Sequence, residues 1–118
     1  MKILITGSRK FVDIAYIYKI LRKELVAGDV IIHGGALGVD NIAQSFCDGN
    51  SFNTIIMKSV FPSKKEYYLY RNTEMIGMCD RVIAFWDGVS RGTDFTVRYA
   101  RKRGMDVKVY KGEVNRTL

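Results

Sequence analysis

The chain has few of the residues that mark secreted, metal-binding or membrane proteins. Its 118 residues include two cysteines, one histidine and one proline. Cys47 and Cys79 have no second cysteine or histidine at a ligand spacing, which argues against a disulfide scaffold and a zinc site. Apolar runs reach only about six residues, whereas a membrane-spanning helix needs roughly 18. We therefore expect a soluble, cytoplasmic protein with no metal, no cofactor and no membrane partner.

Positive charge is in excess. The chain has 19 lysines and arginines against 12 acidic residues, a formal net charge of +7. A positive field attracts nucleotides, nucleic acids and anionic lipids alike, so the sign alone does not select among them. Part of the excess lies between Arg98 and Arg103, at a predicted helix C-terminus, where cations complement the helix dipole.

Strand and helix signals alternate along the chain. Short apolar or β-branched runs predict strands near 2–6, 29–33, 53–58, 81–86 and 106–110. Amphipathic spacing and end signals predict helices at 13–27, 38–47, 63–78 and 93–103. Asp13 is the expected N-cap of the first helix, and the run from Ser63 to Glu66 after Pro62 resembles a capping box for the third.

This alternation predicts one α/β domain. Near-continuous apolar strands joined by helices indicate a mostly parallel five-stranded sheet with helices on both faces, a Rossmann-like three-layer arrangement. With strand order 3-2-1-4-5, ligands bind beyond the carboxyl ends of strands one and four, where the chain switches direction. We expect the domain to span residues 1–111, followed by a short tail at 112–118.

Glycine-containing turns follow three of the predicted strands. The run IIHGGALGVD, residues 31–40, stops an apolar strand at Gly34 and Gly35 and leads into a helix. Backbone amides at a helix N-terminus stabilise a phosphate, and glycines let it approach. Asp40 is then a cap or a contact to a ribose hydroxyl. Glycines also end strands for steric reasons alone, and that alternative stays open for a single loop.

The other two turns carry side chains suited to anions. After the first strand, Ser8 offers a hydroxyl and Arg9 a guanidinium that forks onto a phosphate or carboxylate. After the fourth strand, Ser90, Gly92 and Thr93 place two hydroxyls and a bare backbone at a helix start. The alternatives are a solvated arginine at position 9 and an N-cap role for Thr93.

Four blocks together resemble a known family. KILITGSR, HGGALGVD, RNTEM and AFWDGVSRGTD occur in an order similar to that of the YspA-like branch of the SLOG superfamily. That superfamily also includes cytokinin-activating phosphoribohydrolases and the Rossmann-like part of the DNA-processing protein DprA. The resemblance implies a nucleotide or nucleotide-derived ligand at the carboxyl edge of the sheet. Carried over by motif position, the implied ligand-binding residues are Gly7, Ser8, Arg9, Gly34, Gly35, Asp40, Arg71, Asn72, Ser90, Gly92 and Thr93.

Two positions depart from the family patterns. The hydrolytic branch has a glutamate that acts on the N-glycosidic bond, and Thr96 stands in its place here. Asp94 and Glu74 are nearby acids in the sequence and are weak catalytic candidates. Leu37 stands where the YspA-like pattern usually has arginine, so one cationic contact is missing.

Binding without cleavage is the function that these residues favour. We expect a sensor or carrier of a nucleotide-derived phosphate ligand. The alternatives are a nucleoside-monophosphate phosphoribohydrolase and a single-stranded nucleic-acid binding module. Trp86 and Phe11 are candidates for stacking on a base, with core packing as the alternative, and His33 is expected to be structural. The tyrosine-rich start of the third helix is compatible with a homo-oligomer face.

Overall fold

Five parallel strands form one sheet in this computed structural model, which describes residues 1–11, 13–59 and 64–112. The strand order is β3-β2-β1-β4-β5. In chain order the elements are β1 (Lys2–Gly7), α1 (Ile14–Glu24), β2 (Val30–His33), α2 (Val39–Gly49), β3 (Asn53–Ile56), α3 (Lys65–Met78), β4 (Arg81–Trp86), α4 (Arg91–Lys102) and β5 (Asp106–Lys111). The predicted α/β class, strand order and parallel sheet are confirmed.

Alternate side chains of the central strand point to opposite faces of the sheet. Ile3 and Ile5 pack with residues of α1 and α2, whereas Leu4 packs with residues of α3 and α4. All three side chains are fully buried. Because both faces are covered, every position of the strand has to be apolar, which is why β1 reads as a continuous apolar run.

The helix ends differ slightly from the predicted ones. Asp13 caps α1 as expected, since its carboxylate accepts the amide of Tyr16 at 3.1 Å. The helix nevertheless stops at Glu24, three residues before the predicted end, with Leu25 in an extended conformation. Helix α4 begins at Arg91, two residues earlier than predicted, and Ser90 is its N-cap residue. The predicted capping box at Ser63 lies outside the described residues, as does the tail beyond Gly112.

The parallel arrangement brings the carboxyl ends of the strands to one edge. Gly7 at the end of β1 pairs with Phe85 in β4, and Leu4 pairs with Ile32 in β2. The three glycine-containing turns therefore meet at this edge. None of the helices in the described segments is long and apolar enough to cross a bilayer.

Candidate functional site

A cavity of about 330 Å³ opens at the carboxyl edge, between the turns that follow β1 and β4. Of the eleven residues predicted to bind a ligand, nine line it: Gly7, Ser8, Arg9, Asp40, Arg71, Asn72, Ser90, Gly92 and Thr93. Gly34 and Gly35 line a smaller cavity of about 160 Å³, which Arg9 and Arg71 also line. We call these the main cavity and the side cavity. The structure thus brings all the predicted site residues to one edge.

Ser8 joins the turn after β1 to the turn after β4. Its amide donates to the carbonyl of Phe85 at 3.1 Å, and its hydroxyl accepts the amide of Asp87 at 3.2 Å. The side chain is buried, so its hydrogen bonds are shielded from water. Arg9, the next residue, is exposed at the mouth of the cavities. Ser8 therefore holds the cavity wall, and Arg9 is the exposed cation beside it.

The glycine turn after β2 is bonded within itself. Oδ2 of Asp40 accepts the amides of Gly34 at 3.1 Å and Ala36 at 3.2 Å, and Nδ1 of His33 accepts the amide of Gly35 at 3.0 Å. Burial raises the pKa of Asp40 above its ordinary value, although the amides of Gly34 and Ala36 and the nearby guanidinium of Arg71 act in the opposite direction. These three amides are therefore engaged with the chain, which corrects their expected role as free donors to a phosphate.

The glycines of this turn are explained by packing inside the molecule. A Cβ atom at Gly34 would collide with the guanidinium of Arg71, and one at Gly38 would collide with the backbone of Arg9. Gly38 also has a φ of 82°, in the left-handed region that favours glycine. Here the steric explanation of the glycine spacing applies, and the glycines position the two arginines that line the cavities.

His33 has the structural role predicted for it. Its Nδ1 accepts a backbone amide, so the proton lies on Nε2 and is donated to Oε1 of Gln44 at 2.6 Å. The ring is buried at the end of β2. It fixes the glycine turn to α2.

Arg71 ties α3 to the ends of β2 and β3. Its Nη1 donates to the carbonyls of Gly34 and Met57, each at 3.0 Å, and its Nε donates to Oδ1 of Asn72 at 2.9 Å. Burial lowers the pKa of Arg71, an effect that the nearby Asp40 partly offsets. Nη2 has no acceptor within the described part of the chain. The two N–H donors of Nη2 on this half-buried cation are therefore available to a ligand.

Thr96 occupies the position of the hydrolytic glutamate and takes part in the same network. Its hydroxyl accepts Nδ2 of Asn72 at 2.9 Å and donates to the carbonyl of Gly92 at 2.9 Å. The residue is fully buried. Sequence reasoning noticed only that the carboxylate was missing, whereas the structure shows that the threonine orients Asn72 and, through it, Arg71.

The start of α4 presents unpaired amides to the main cavity. The amides of Arg91, Gly92 and Thr93 have no acceptor among the described residues, and Ser90 makes no side-chain cap. Of these three residues, Gly92 and Thr93 line the main cavity. Such amides carry about half a positive charge at a helix N-terminus. This turn, and not the glycine turn after β2, provides the free donors that the sequence predicted.

Asp87 lines the main cavity and was missed by the sequence analysis. Its Oδ1 accepts the amides of Val89 at 2.9 Å and Ser90 at 2.8 Å. Burial raises its pKa, but these bonds and the one with Ser8 outweigh burial and lower the pKa below its ordinary value. The Asp-Gly turn after β4 was the available signal, because aspartate in such turns bonds the amides that follow it.

The weak catalytic candidates and the candidate stacking residues lie elsewhere. Neither Asp94 nor Glu74 lines the main cavity, and Asp94 pairs with Arg98 one turn along α4 at 3.1 Å. Phe11 is buried in the core against Phe85. Trp86 donates from its ring nitrogen to the carbonyl of Ser90 at 3.0 Å and so supports the start of α4. Phe11 therefore has the core role that the sequence left as an alternative.

No family model matches the chain. The Gene 61 protein of Mycobacterium phage D29 is 34% identical over 118 residues, and the match covers 90% of this chain and 93% of that relative. This chain belongs to the Gene 61 family.

Solved structures with the same fold include two DNA processing proteins. DNA processing protein A from Helicobacter pylori, which binds single-stranded DNA, matches with a TM-score of 0.76 and 25% identity over 98% of this chain and 67% of that one. DNA processing protein A (DprA) from Streptococcus pneumoniae matches with a TM-score of 0.79 and 22% identity over 98% of this chain. This Gene 61 family chain therefore spans about half, 52%, of the length of the Streptococcus pneumoniae protein. The DprA-like, Rossmann-like fold is thereby shown, and the YspA-like subfamily stays a prediction.

Proposed function

We propose that this chain binds single-stranded DNA at the carboxyl edge of its sheet, with one nucleotide held in the main cavity. Its phosphate lies at the start of α4, beside Arg9. The sugar and base occupy the rest of a volume of about 330 Å³. Pockets of about 300 Å³ and more are of the size that takes small organic ligands.

One observation carries this proposal. Gly92 and Thr93, whose amides are unpaired among the described residues, line the same cavity as the exposed Arg9 and the half-buried Arg71. Backbone amides and guanidinium groups bind phosphate oxygens in complementary ways, since the first are fixed donors and the second fork onto two oxygens. Neither group reads a base, so the expected binding is independent of sequence.

The carboxylates in the cavity wall do not prevent anion binding. The carboxylate of Asp40 accepts hydrogen bonds from amides of the glycine turn, and Oδ1 of Asp87 accepts them from the amides that precede α4. Both therefore organise backbone around the cavity. The net charge of +7 adds attraction at longer range. The similarity to the Helicobacter pylori protein, which binds single-stranded DNA, supports the same choice of partner.

Fluorescence anisotropy with a labelled 20-residue oligothymidylate tests the proposal. Binding is expected at 50 mM salt and should weaken as salt is raised, with a slope of about −0.7 for each phosphate contacted. Replacing Arg9 by alanine should lower affinity about tenfold, the effect of losing a charge-assisted hydrogen bond. The matched control is Arg101→Ala, which removes the same charge near the far end of α4 and should change affinity less than twofold.

Two results would contradict the proposal. One is the absence of binding by the wild-type protein at low salt. The other is an equal loss of affinity in Arg9→Ala and Arg101→Ala, which would mean that net charge and not this edge attracts the DNA.

A free nucleotide-derived molecule is the second candidate ligand, and the protein would then be its sensor or carrier. Asp87 lines the main cavity, and its carboxylate is the acceptor that we expect for a ribose hydroxyl or a base amino group. If a free nucleotide is the ligand, AMP should stabilise the protein saturably in a thermal-shift assay, and an oligonucleotide should add no further stabilisation. If single-stranded DNA is the ligand, the oligonucleotide should stabilise the protein more than AMP does.

Hydrolysis of an N-glycosidic bond has less support. The position of the family's glutamate holds the buried Thr96, and Asp94 and Glu74 lie outside the main cavity lining. Free adenine released from AMP, and lost in an Asp87→Asn variant, would favour this reaction over binding alone.

A further inference from the structure

The side cavity lies directly against the main cavity. Three residues, Arg9, Ala36 and Arg71, line both. The side cavity has about half the volume, 160 Å³ against 330 Å³. Its remaining wall comes from Gly34, Gly35 and the chain that follows β3, Lys58 and Ser59. The two cavities are therefore neighbouring compartments that share part of their lining, including both arginines.

The two compartments differ in charge. In the described lining of the side cavity there are three cationic side chains, Arg9, Lys58 and Arg71, and no carboxylate. The main cavity also has three, Arg9, Lys10 and Arg71, but they are accompanied by Asp40 and Asp87. An anion in the side cavity therefore faces cations and no carboxylate in the described lining. This electrostatic setting suits a phosphate group better than a base or a sugar.

Ser59 adds an unpaired hydroxyl to this wall. Its Oγ is buried and has no hydrogen-bond partner among the described residues. A buried polar group without a partner costs free energy, and an oxygen of a bound anion would satisfy it. Lys58 packs its stem against the glycine turn, where a Cβ atom at Gly35 would lie 3.1 Å from Cε of the lysine. Its ammonium therefore stands beside the cavity on a supported stem.

We propose that the side cavity is a second phosphate subsite, in which Lys58 and Ser59 bind the phosphate of the nucleotide next to the one in the main cavity. The inference rests on the proposed function, because it names how much of a single strand the edge engages. Arg71 lies between the two phosphates and uses its free Nη2. The smallest ligand that fills the site thus carries two successive phosphates, and a mononucleotide fills only half of it.

Short oligonucleotides test the subsite. The probes are thymidine 5′-monophosphate, its 5′-phosphorylated dinucleotide and the 20-residue oligothymidylate, titrated against the wild-type protein and Lys58→Ala. In the wild type, affinity should rise at least tenfold from the mononucleotide to the dinucleotide. In Lys58→Ala this rise should fall below threefold, while binding of the mononucleotide is unchanged. The salt slope for the 20-residue strand should decrease by about 0.7, the value for one phosphate contact.

Lys102→Ala is the matched control. It removes the same charge from an exposed position at the end of α4, far from the carboxyl edge. It should leave both the dinucleotide gain and the salt slope as in the wild type. Ser59→Ala removes only the buried hydroxyl and should weaken the dinucleotide without affecting the mononucleotide.

The outcomes separate the two proposals. If the wild-type protein binds no oligothymidylate, the DNA-binding function and the subsite are both overturned. If it binds the strand through Arg9 but Lys58→Ala keeps the full dinucleotide gain, the subsite alone is overturned. An equal loss in Lys58→Ala and Lys102→Ala would also overturn it, since the lysine would then act only through net charge.

Discussion

Asp40 and Gly34 are joined by a hydrogen bond from the Gly34 amide to Oδ2 of Asp40, at 3.1 Å. The same oxygen accepts the amide of Ala36 at 3.2 Å, and the carboxylate is buried. Asp40, which the family resemblance assigns to ligand binding, thus also shapes the glycine turn. Its effect on a ligand passes through the two arginines that the turn positions.

Replacing Asp40 separates its acceptor role from its charge. Asp40→Ala leaves two amides without an acceptor and should lower the free energy of unfolding by about 2 to 4 kcal/mol. Asp40→Asn retains an oxygen at the same place and should cost less than about 1 kcal/mol, because burial already disfavours the charged form. Urea unfolding measures both, with exposed Asp106→Ala as control. Equal losses in the two variants would show that the charge, and not the acceptor, is required.

A methyl group at position 34 should displace Arg71. The Cβ atom of Gly34→Ala would collide with the guanidinium, so the arginine must give up its bonds to Gly34 and Met57. We expect a loss of about 1 to 3 kcal/mol in stability and weaker binding of oligothymidylate. The control is Gly77→Ala in α3, where a Cβ atom meets nothing within 4 Å. That variant should gain up to about 1 kcal/mol, the difference in helix propensity, and a loss there equal to that of Gly34→Ala would refute the argument.

The hydroxyl of Thr96 should matter more than its methyl group. Thr96→Val keeps the shape but leaves Nδ2 of Asn72 without its acceptor in a buried site, at a cost of about 1 to 3 kcal/mol. Thr96→Ser keeps both hydrogen bonds and loses one methyl group, at a cost of about 0.8 kcal/mol. Chemical denaturation ranks the two. A valine variant as stable as the serine variant would show that the Asn72 network contributes nothing measurable.

Acid should remove a contribution to stability made by Glu24. Arg81 donates to its Oε1 at 3.0 Å, Lys108 to its Oε2 at 3.1 Å, and Tyr110 also bonds Oε2. Burial raises the pKa of Glu24, but these bonds outweigh burial and lower the pKa to about 2. The folded pKa lies below the unfolded one, so the contribution is complete above about pH 4.5 and disappears as the pH falls towards 2. Its size is at most about 3 kcal/mol.

Comparing Glu24→Gln with the wild type measures this contribution. The difference in unfolding free energy should be largest at pH 6 and should shrink between pH 4.5 and 2.5. Glu66→Gln changes the same charge at an exposed position of α3 and should show no such convergence. A difference for Glu24→Gln that stays constant over this range would contradict the assignment.

The order of the strands and helices was predictable, and so was the sheet edge at which the turns meet, because both follow from local patterns. Apolar runs and helical spacing depend on neighbours within a few residues. Parallel strands require crossovers, so the carboxyl ends of β1, β2 and β4 had to meet. Helix ends were less predictable, as at Glu24, whose backbone carbonyl accepts Nη2 of Arg81 at 2.7 Å from 57 positions away in the sequence.

By itself, then, the sequence determined a five-stranded Rossmann-like sheet and the edge on which Arg9, Arg71 and Thr93 gather. Only the tertiary structure decided which amides are free. It closed the glycine turn onto Asp40, left the start of α4 open, and placed Lys58 beside Arg71. The physical reason is that a backbone amide binds whichever acceptor the packed chain brings within about 3 Å, and those acceptors come from elements far apart in the sequence.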